Sequence, residues 1–208
     1  MTMEALRDVV GTRWTSDEID LYIDDGYVEA ACLTGCIVAT VTLSCPSGKI
    51  LISLPEDSLF PIALSDVASG TPVDPVNWRF IDRKDPYFMT CEGSTPAIVA
   101  PWGLKHILLN PPFSGDGTIS LIHAVVPIAG LTSDSSVPDT PDWFHPALVN
   151  YAHGRALVRD ADGPRLGRAL RQFGYYTELL GDLDEFGNSR HEGVRQSVYG
   201  ERFRVPRG

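Results

Sequence analysis

The apolar positions near the start of the chain recur with helical spacing. Ile19, Tyr22, Ile23, Tyr27, Ala30 and Leu33 fall three or four apart and so share one stripe of a helix. Thr15 and Glu18 precede that stripe as Thr-x-x-Glu, the reciprocal arrangement that satisfies free amides at a helix start. Asp17 and Glu18 also suit the positive end of the helix dipole. Gly35 supplies a left-handed stop. These signals predict a helix over 16–34, preceded by a shorter one over 3–10 that Gly11 ends. Gly26 weakens the long helix by about 1 kcal/mol relative to alanine, which implies close packing of another element at that point.

From Cys36 the period changes. Cys36–Leu43 and Lys49–Leu54 are rich in β-branched residues and flank Cys45-Pro-Ser-Gly48, a hairpin pattern. Further strands are expected at 60–65, 76–82, 97–100, 105–110 and 118–126, with Gly115-Asp-Gly117 as a hairpin turn between the last two. Thirteen of the sixteen prolines lie between Pro46 and Pro141, so strands and loops rather than helices fill this stretch. Helical spacing returns at Phe144, Ala147, Leu148, Tyr151 and Val158, with Asp142 as the expected N-cap. It continues at Leu166, Ala169, Leu170, Phe173, Tyr176 and Leu180 after the short turn Asp160–Pro164. A turn that short makes the two helices antiparallel neighbours.

The predicted class is α+β. An antiparallel helical bundle, made of the N-terminal helix and a C-terminal helical hairpin, carries an inserted β-sheet or small β-sandwich and an extended C-terminal tail. The boundaries are 1–35 and 141–185 for the bundle, 36–140 for the insertion and 186–208 for the tail.

Composition leaves this picture intact: 208 residues, 43 % hydrophobic and 21 % charged, are ordinary for one folded domain with an insertion. Charge adds to it. The net value of −10 is unevenly spread, because 186–208 hold five Arg against two Glu and 1–185 carry −13. An acidic body repels phosphates, which disfavours tight DNA binding as the main task. The basic tail suits an acidic partner or an acidic neighbouring copy. Its Val194, Val198, Tyr199 and Phe203 interleave with Arg190, Arg195, Arg202 and Arg204, the mixture that protein interfaces favour. The competing reading is a disordered terminus. No run of about 18 apolar residues and no signal-peptide pattern occurs, so neither a membrane contact nor secretion is expected.

Candidate chemistry is sparse. The chain lacks a Gly-x-Ser-x-Gly elbow, a Gly-x-Gly-x-x-Gly turn and a Walker-type Gly-Lys-Ser/Thr. Cys32 and Cys36, taken with His106 and His123, have loose spacing for zinc and read as core residues, with Cys91 isolated. His145 and His153 share a helix face and read as surface or interface residues. Asp24 and Asp25 point about 100° apart and read as a solvated face. Arg155, Arg159, Arg165, Arg168 and Arg171 lie on the helical hairpin; they either pair with Asp160, Asp162 and other local acids or reach a neighbouring subunit. No catalytic residue, cofactor or metal is expected.

Three stretches, in order, give the chain a likeness. They are Trp14 to Ala31, then Asp85-Pro-Tyr-Phe88 with Leu108 to Phe113 and Gly117 to Pro127, then Pro146 to Asp160 with a second helix containing Phe173. Over about 5–183 the chain resembles the head-to-tail adaptor (connector, or head completion) proteins of tailed bacteriophages, in particular the tail adaptors of short-tailed phages. Asp24-Asp25 stands where relatives more usually carry Asn. The resemblance implies a structural protein of the virion neck, made in the host cytoplasm. It implies a ring of twelve copies below the portal protein, extending the DNA channel and giving the tail or nozzle protein a platform. DNA would pass without sequence-specific binding. On this reading Arg190, Arg195, Val198, Tyr199, Arg202, Phe203 and Arg204 hold the portal or a neighbouring subunit, and Arg155, Arg159, Arg165 and Arg168 form inter-subunit or intra-bundle ion pairs. The alternative is a β-rich module binding carbohydrate or a receptor, which exposed Trp78, Tyr87 and Trp102 would favour.

Overall fold

The computed structural model describes residues 1–10, 14–84, 87–90, 93, 95–128, 130–131, 133–159 and 163–199. Its elements in chain order are α1 (Met3–Val10), α2 (Ser16–Thr34), β1 (Val38–Cys45), β2 (Leu51–Ser53), β3 (Ser58–Asp66), β4 (Asp74–Pro75), α3 (Trp78–Lys84), β5 (Ile98–Trp102), β6 (His106–Asn110), β7 (Gly117–Val125), α4 (His145–Arg159) and α5 (Gly163–Tyr199). Short 3-10 turns at Phe88–Thr90 and Asp142–Phe144 complete an α+β fold. The chain forms two units. One comprises Met1–Ile37 and Val126–Ser189; the other comprises Val38–Val125 and the chain from Arg190.

The first unit is helical. α2 starts where its sequence dictates: the Thr15 amide donates to the Glu18 carboxylate at 3.4 Å and the capping box is formed. It stops at Gly35, whose φ of 57° lets its amide donate to Ala31. Ile19, Ile23, Tyr27, Ala30 and Ala31 are buried, whereas Leu33 is exposed and Thr34 takes its place inside. Gly26 is a contact point. A Cβ there would lie 2.8 Å from the Tyr151 ring of α4, and the Tyr176 hydroxyl of α5 donates to the Gly26 carbonyl at 3.3 Å. Tyr151 packs on Phe173 and Tyr176, Phe144 on Tyr176, and Trp143 on Phe186. As α4 numbers fall, α5 numbers rise, so the two helices run antiparallel. Backbone and side-chain hydrogen bonds tie α1 into the unit. Its first amides donate to the carbonyls of Asp134 and Ser136, and Arg7 clamps Asp20 (2.6 and 2.7 Å) and Asp134 (2.7 Å). These acids raise the Arg7 pKa further above its already high value.

The second unit is a sandwich of a three-stranded sheet, β1-β7-β3, and a four-stranded sheet, β2-β6-β5-β4. All pairings are antiparallel except β4 with β5. Leu43, Cys45, Leu64, Ile119 and Leu121 from the first sheet meet Ile52, Val99, Ile107 and Leu109 from the second. The outer face of the second sheet is covered as well: Ala100 and Leu108 pack under Ile81 of α3 and Phe88. Two covered faces explain why Ile107, Leu108 and Leu109 are all apolar, with no alternation.

Several expectations need correction. Cys36–Leu43 and Lys49–Leu54 do not form a hairpin, because β1 pairs along its length with β7 and β2 pairs with β6. The turn at 46–48 passes the chain from one sheet to the other. Gly115-Asp-Gly117 does the same between β6 and β7. There the Asp116 carboxylate accepts the Ser47 amide at 3.0 Å, and the Ser47 hydroxyl donates to Ser114 at 2.9 Å. The strand expected at 76–82 is helix α3, started by the Asn77 side chain accepting the Arg79 amide at 3.0 Å. Asp142 does not cap α4; a 3-10 turn leads in instead, with the Phe144 amide donating to Pro141. Val158, Leu166 and Leu170 are exposed. The tail is not extended from Phe186, because α5 continues unbroken to Tyr199. Gly187 does not break it, since a Cβ there would sit 2.8 Å from the Thr34 carbonyl and only glycine allows that approach. Gly11, the Asp160–Asp162 turn and Cys91 lie outside the described residues.

Candidate interaction surfaces

The end of α5 is fastened within the second unit. The Tyr199 hydroxyl accepts the Leu64 amide at 3.0 Å and donates to the Val73 carbonyl at 3.2 Å. Leu64 and Val73 already share one backbone bond, from the Val73 amide to the Leu64 carbonyl at 3.0 Å. The phenol therefore bridges the two groups left over. Burial raises its pKa, so it stays protonated and able to donate. One turn pair earlier, His191 is buried edge-on against Phe60, with ring centroids 5.4 Å apart. Among the residues expected to bind portal or a neighbour, Tyr199 is thus inside the protein's own fold, Arg190 is exposed, and Arg195 and Val198 are half-buried. Arg202, Phe203 and Arg204 lie outside the described residues.

The arginines of the helical hairpin divide. Arg155 lies 3.7 Å from Asp25 and over the rings of Tyr22 and Tyr151. Arg159 pairs with Glu18 in the first turn of α2. Both contacts tie α4 to α2. Arg165 is half-buried, and Arg168 and Arg171 are exposed on α5. Asp24 is not merely solvated: its carboxylate accepts the Leu131 amide at 2.7 Å and rests against Gly130, where a side chain would collide with it. His145 is also relocated. It is fully buried, its Nε2 3.1 Å from the Thr140 carbonyl, and burial lowers its pKa. His153 is half-buried beside Trp14, ring centroids 5.7 Å apart, and is likewise shifted down. His123 is buried in β7 and shifted down by the same cause, partly offset by Asp57. Cys32 is exposed, Cys36 and Cys45 are buried, and all three are free thiols. Among the described residues no three His, Cys, Asp or Glu gather closely enough to hold a metal, and no helix is long and apolar enough to cross a membrane.

Sequence reasoning named Trp78, Tyr87 and Trp102 as a possible surface but missed the helix α3, and with it Phe80, Met89 and the cations around them. Trp78, Phe80, Tyr87 and Met89 are exposed, and Trp102 is half-buried with its ring 5.8 Å from Trp78. Arg79 lies over Trp78 at 5.8 Å and Lys84 over Phe80 at 6.0 Å. The available signal was Asn77 as an N-cap before apolar residues at helical spacing; the proline-rich surroundings concealed it.

The chain displays an aromatic and cationic patch on the sandwich unit and, in the helical unit, ion pairs that join its helices to one another. None of the curated proteins matches the chain, but a family model described as SU10 adaptor protein matches residues 2–201. That match spans nearly the whole length, and with it the chain belongs to the SU10 adaptor family, structural adaptor proteins of the bacteriophage virion.

Proposed function

We propose that this protein is the head-to-tail adaptor of a phage neck, forming a ring of twelve copies beneath the portal protein. It extends the DNA channel, gives the downstream tail or nozzle protein its platform, and carries out no catalysis. The observation that carries this reading is the family match over residues 2–201. Charge supports it. Residues 1–185 carry −13, and a channel wall of that sign lets DNA pass without holding its phosphates. The portal contact falls to the basic end of the chain: Arg190, Arg195 and Val198 on the last turns of α5, with Arg202, Phe203 and Arg204 beyond. Of the hairpin arginines, Arg165 and Arg168 on α5 are assigned to an inter-subunit contact. Tyr199 acts as an internal anchor that fixes where this basic end leaves the fold.

The test is to mix the full-length protein with the portal of the same virus and examine the product by native mass spectrometry and negative-stain microscopy. The expected product is a portal bearing a ring of adaptor copies. A portal that stays bare would refute the proposal. Deleting 200–208 and reversing Arg190 and Arg195 should weaken this binding while leaving the fold intact. The exposed Trp78 and Tyr87 favour a second reading, a carbohydrate- or receptor-binding module of the virion. Binding to a glycan array by a protein that ignores portal would select it.

A further inference from the structure

Two surface features of the chain match each other. The first is α3. Its buried residue, Ile81, points into the sheet, so Arg79 and Arg83, one turn apart, form the outward ridge. Trp78 and Phe80 flank that ridge, and Tyr87, 78 % exposed, and Met89 extend it. An exposed apolar patch of this kind marks a contact site. The helix carries three cations and one acid in a chain whose net charge is −10. Such a patch is drawn to an acidic surface.

The second feature is the middle of α5. From 172 to 189 the chain holds four acids and no Lys or Arg. Tyr175, Glu178, Asp182, Glu185 and Phe186 lie within about 100° of one another on the helix, at 100° per residue. They are exposed, and they face away from the buried Tyr176 and Leu183. Among the described residues, Arg79, Arg83 and Lys84 form no ion pair, and neither do Glu178, Asp182 and Glu185. Residues four apart on a helix have Cβ atoms about 5–6 Å apart, so Arg79 and Arg83 have the spacing of Glu178 and Asp182. Aromatic side chains border both rows.

We propose that α3 of one copy docks on the acidic stripe of α5 in the next copy, with Arg79 and Arg83 against Glu178 and Asp182 and the aromatic residues closing around them. The contact joins two different patches, so it is heterologous, and repetition of one such contact is what closes a ring. Arg and aromatic anchors set the contact energy, while the opposite charges fix register and reject misaligned copies. This inference rests on the adaptor reading above and adds to it the surfaces by which copies meet.

Two full-length variants test it, R79E/R83E and E178R/D182R. Each alone sets like charges against each other and should reduce ring formation on the portal roughly tenfold or more. Mixed one to one, each variant's altered patch meets the other's altered patch, and its native patch meets a native one. Alternating rings should then form. Recovery on mixing also shows that both variants are folded. Ring formation by R79E/R83E at wild-type level overturns the interface, and so does failure of the mixture when both variants keep the wild-type circular dichroism spectrum and melting profile. Glycan binding lost in R79E/R83E, with rings retained, assigns the patch to a carbohydrate instead. If wild-type protein leaves the portal bare, it is the adaptor reading that fails. The interface is then judged by whether R79E/R83E abolishes self-association of the concentrated protein and mixing restores it.

Discussion

Replacing Tyr199 by Phe removes one oxygen and leaves the ring in place. That oxygen serves two buried backbone groups, the Leu64 amide and the Val73 carbonyl, and the residue is 5 % exposed. A neutral hydrogen bond contributes about 1 kcal/mol net, and a buried backbone group left without a partner costs about 1–3 kcal/mol. Two such groups set an expected loss of ~2–3 kcal/mol, less than the ~3–5 kcal/mol for losing a whole aromatic side chain. With a urea slope of about 2 kcal/mol/M, the midpoint should fall by about 1 M. Hydrogen exchange gives the local readout: the Leu64 amide should lose protection in Y199F more than the amides of β1. A midpoint within ~0.2 M of wild type, with Leu64 protection unchanged, would refute the bridge. Loss of portal binding by Y199F at wild-type stability would return Tyr199 to the role of an external anchor.

Glycines offer a contrast of sign. Gly26→Val should destabilise by more than ~2 kcal/mol, because its Cβ alone already lies 2.8 Å from the Tyr151 ring. Gly174→Ala should stabilise by ~0.5–1 kcal/mol, since nothing lies within 4 Å of a Cβ there and alanine favours the helix; paired melting curves read both. Arg7→Met should cost about 1–3 kcal/mol in chemical unfolding, because it leaves the half-buried Asp20 without its guanidinium partner. Acid should destabilise the fold before carboxylates titrate. Burial lowers the pKa of His123, His145 and His153 below the ordinary imidazole value of 6.5, so the unfolded chain binds protons that the folded one refuses. Stability is therefore full above about pH 6.5 and falls as pH drops toward the folded values, at up to ~4 kcal/mol per pH unit if all three act together. A pH series of urea midpoints that stays flat between pH 7 and 5 would contradict this.

The helices were legible in sequence because their determinants are local. Thr15, Glu18 and Gly35 bound α2 through bonds spanning three or four residues, and Gly26 announced a close neighbour whose identity, Tyr151, lies 125 positions away. Strand partners were not legible. The runs 36–43 and 49–54 each read as strand, but pairing is decided by which sheet face each side chain covers, and β1 finds that match with β7, not with β2. Local pattern also failed at α3, where proline-rich flanks outweighed a single Asn cap. The basic segment from Phe186 shows the same division. Its composition, with Gly187 and Gly193, speaks for mobility, since glycine inside a helix costs about 1 kcal/mol. That cost is outweighed by contacts the sequence does not display: the carbonyl of Thr34 against Gly187, Phe60 against His191, and the two backbone groups held by Tyr199. The aromatics and arginines of this segment therefore have separate tasks. Tyr199 faces the protein's own sheet, while Arg190 on the same helix remains at the surface, so the end of α5 is fastened at Tyr199 and presents Arg190 outward.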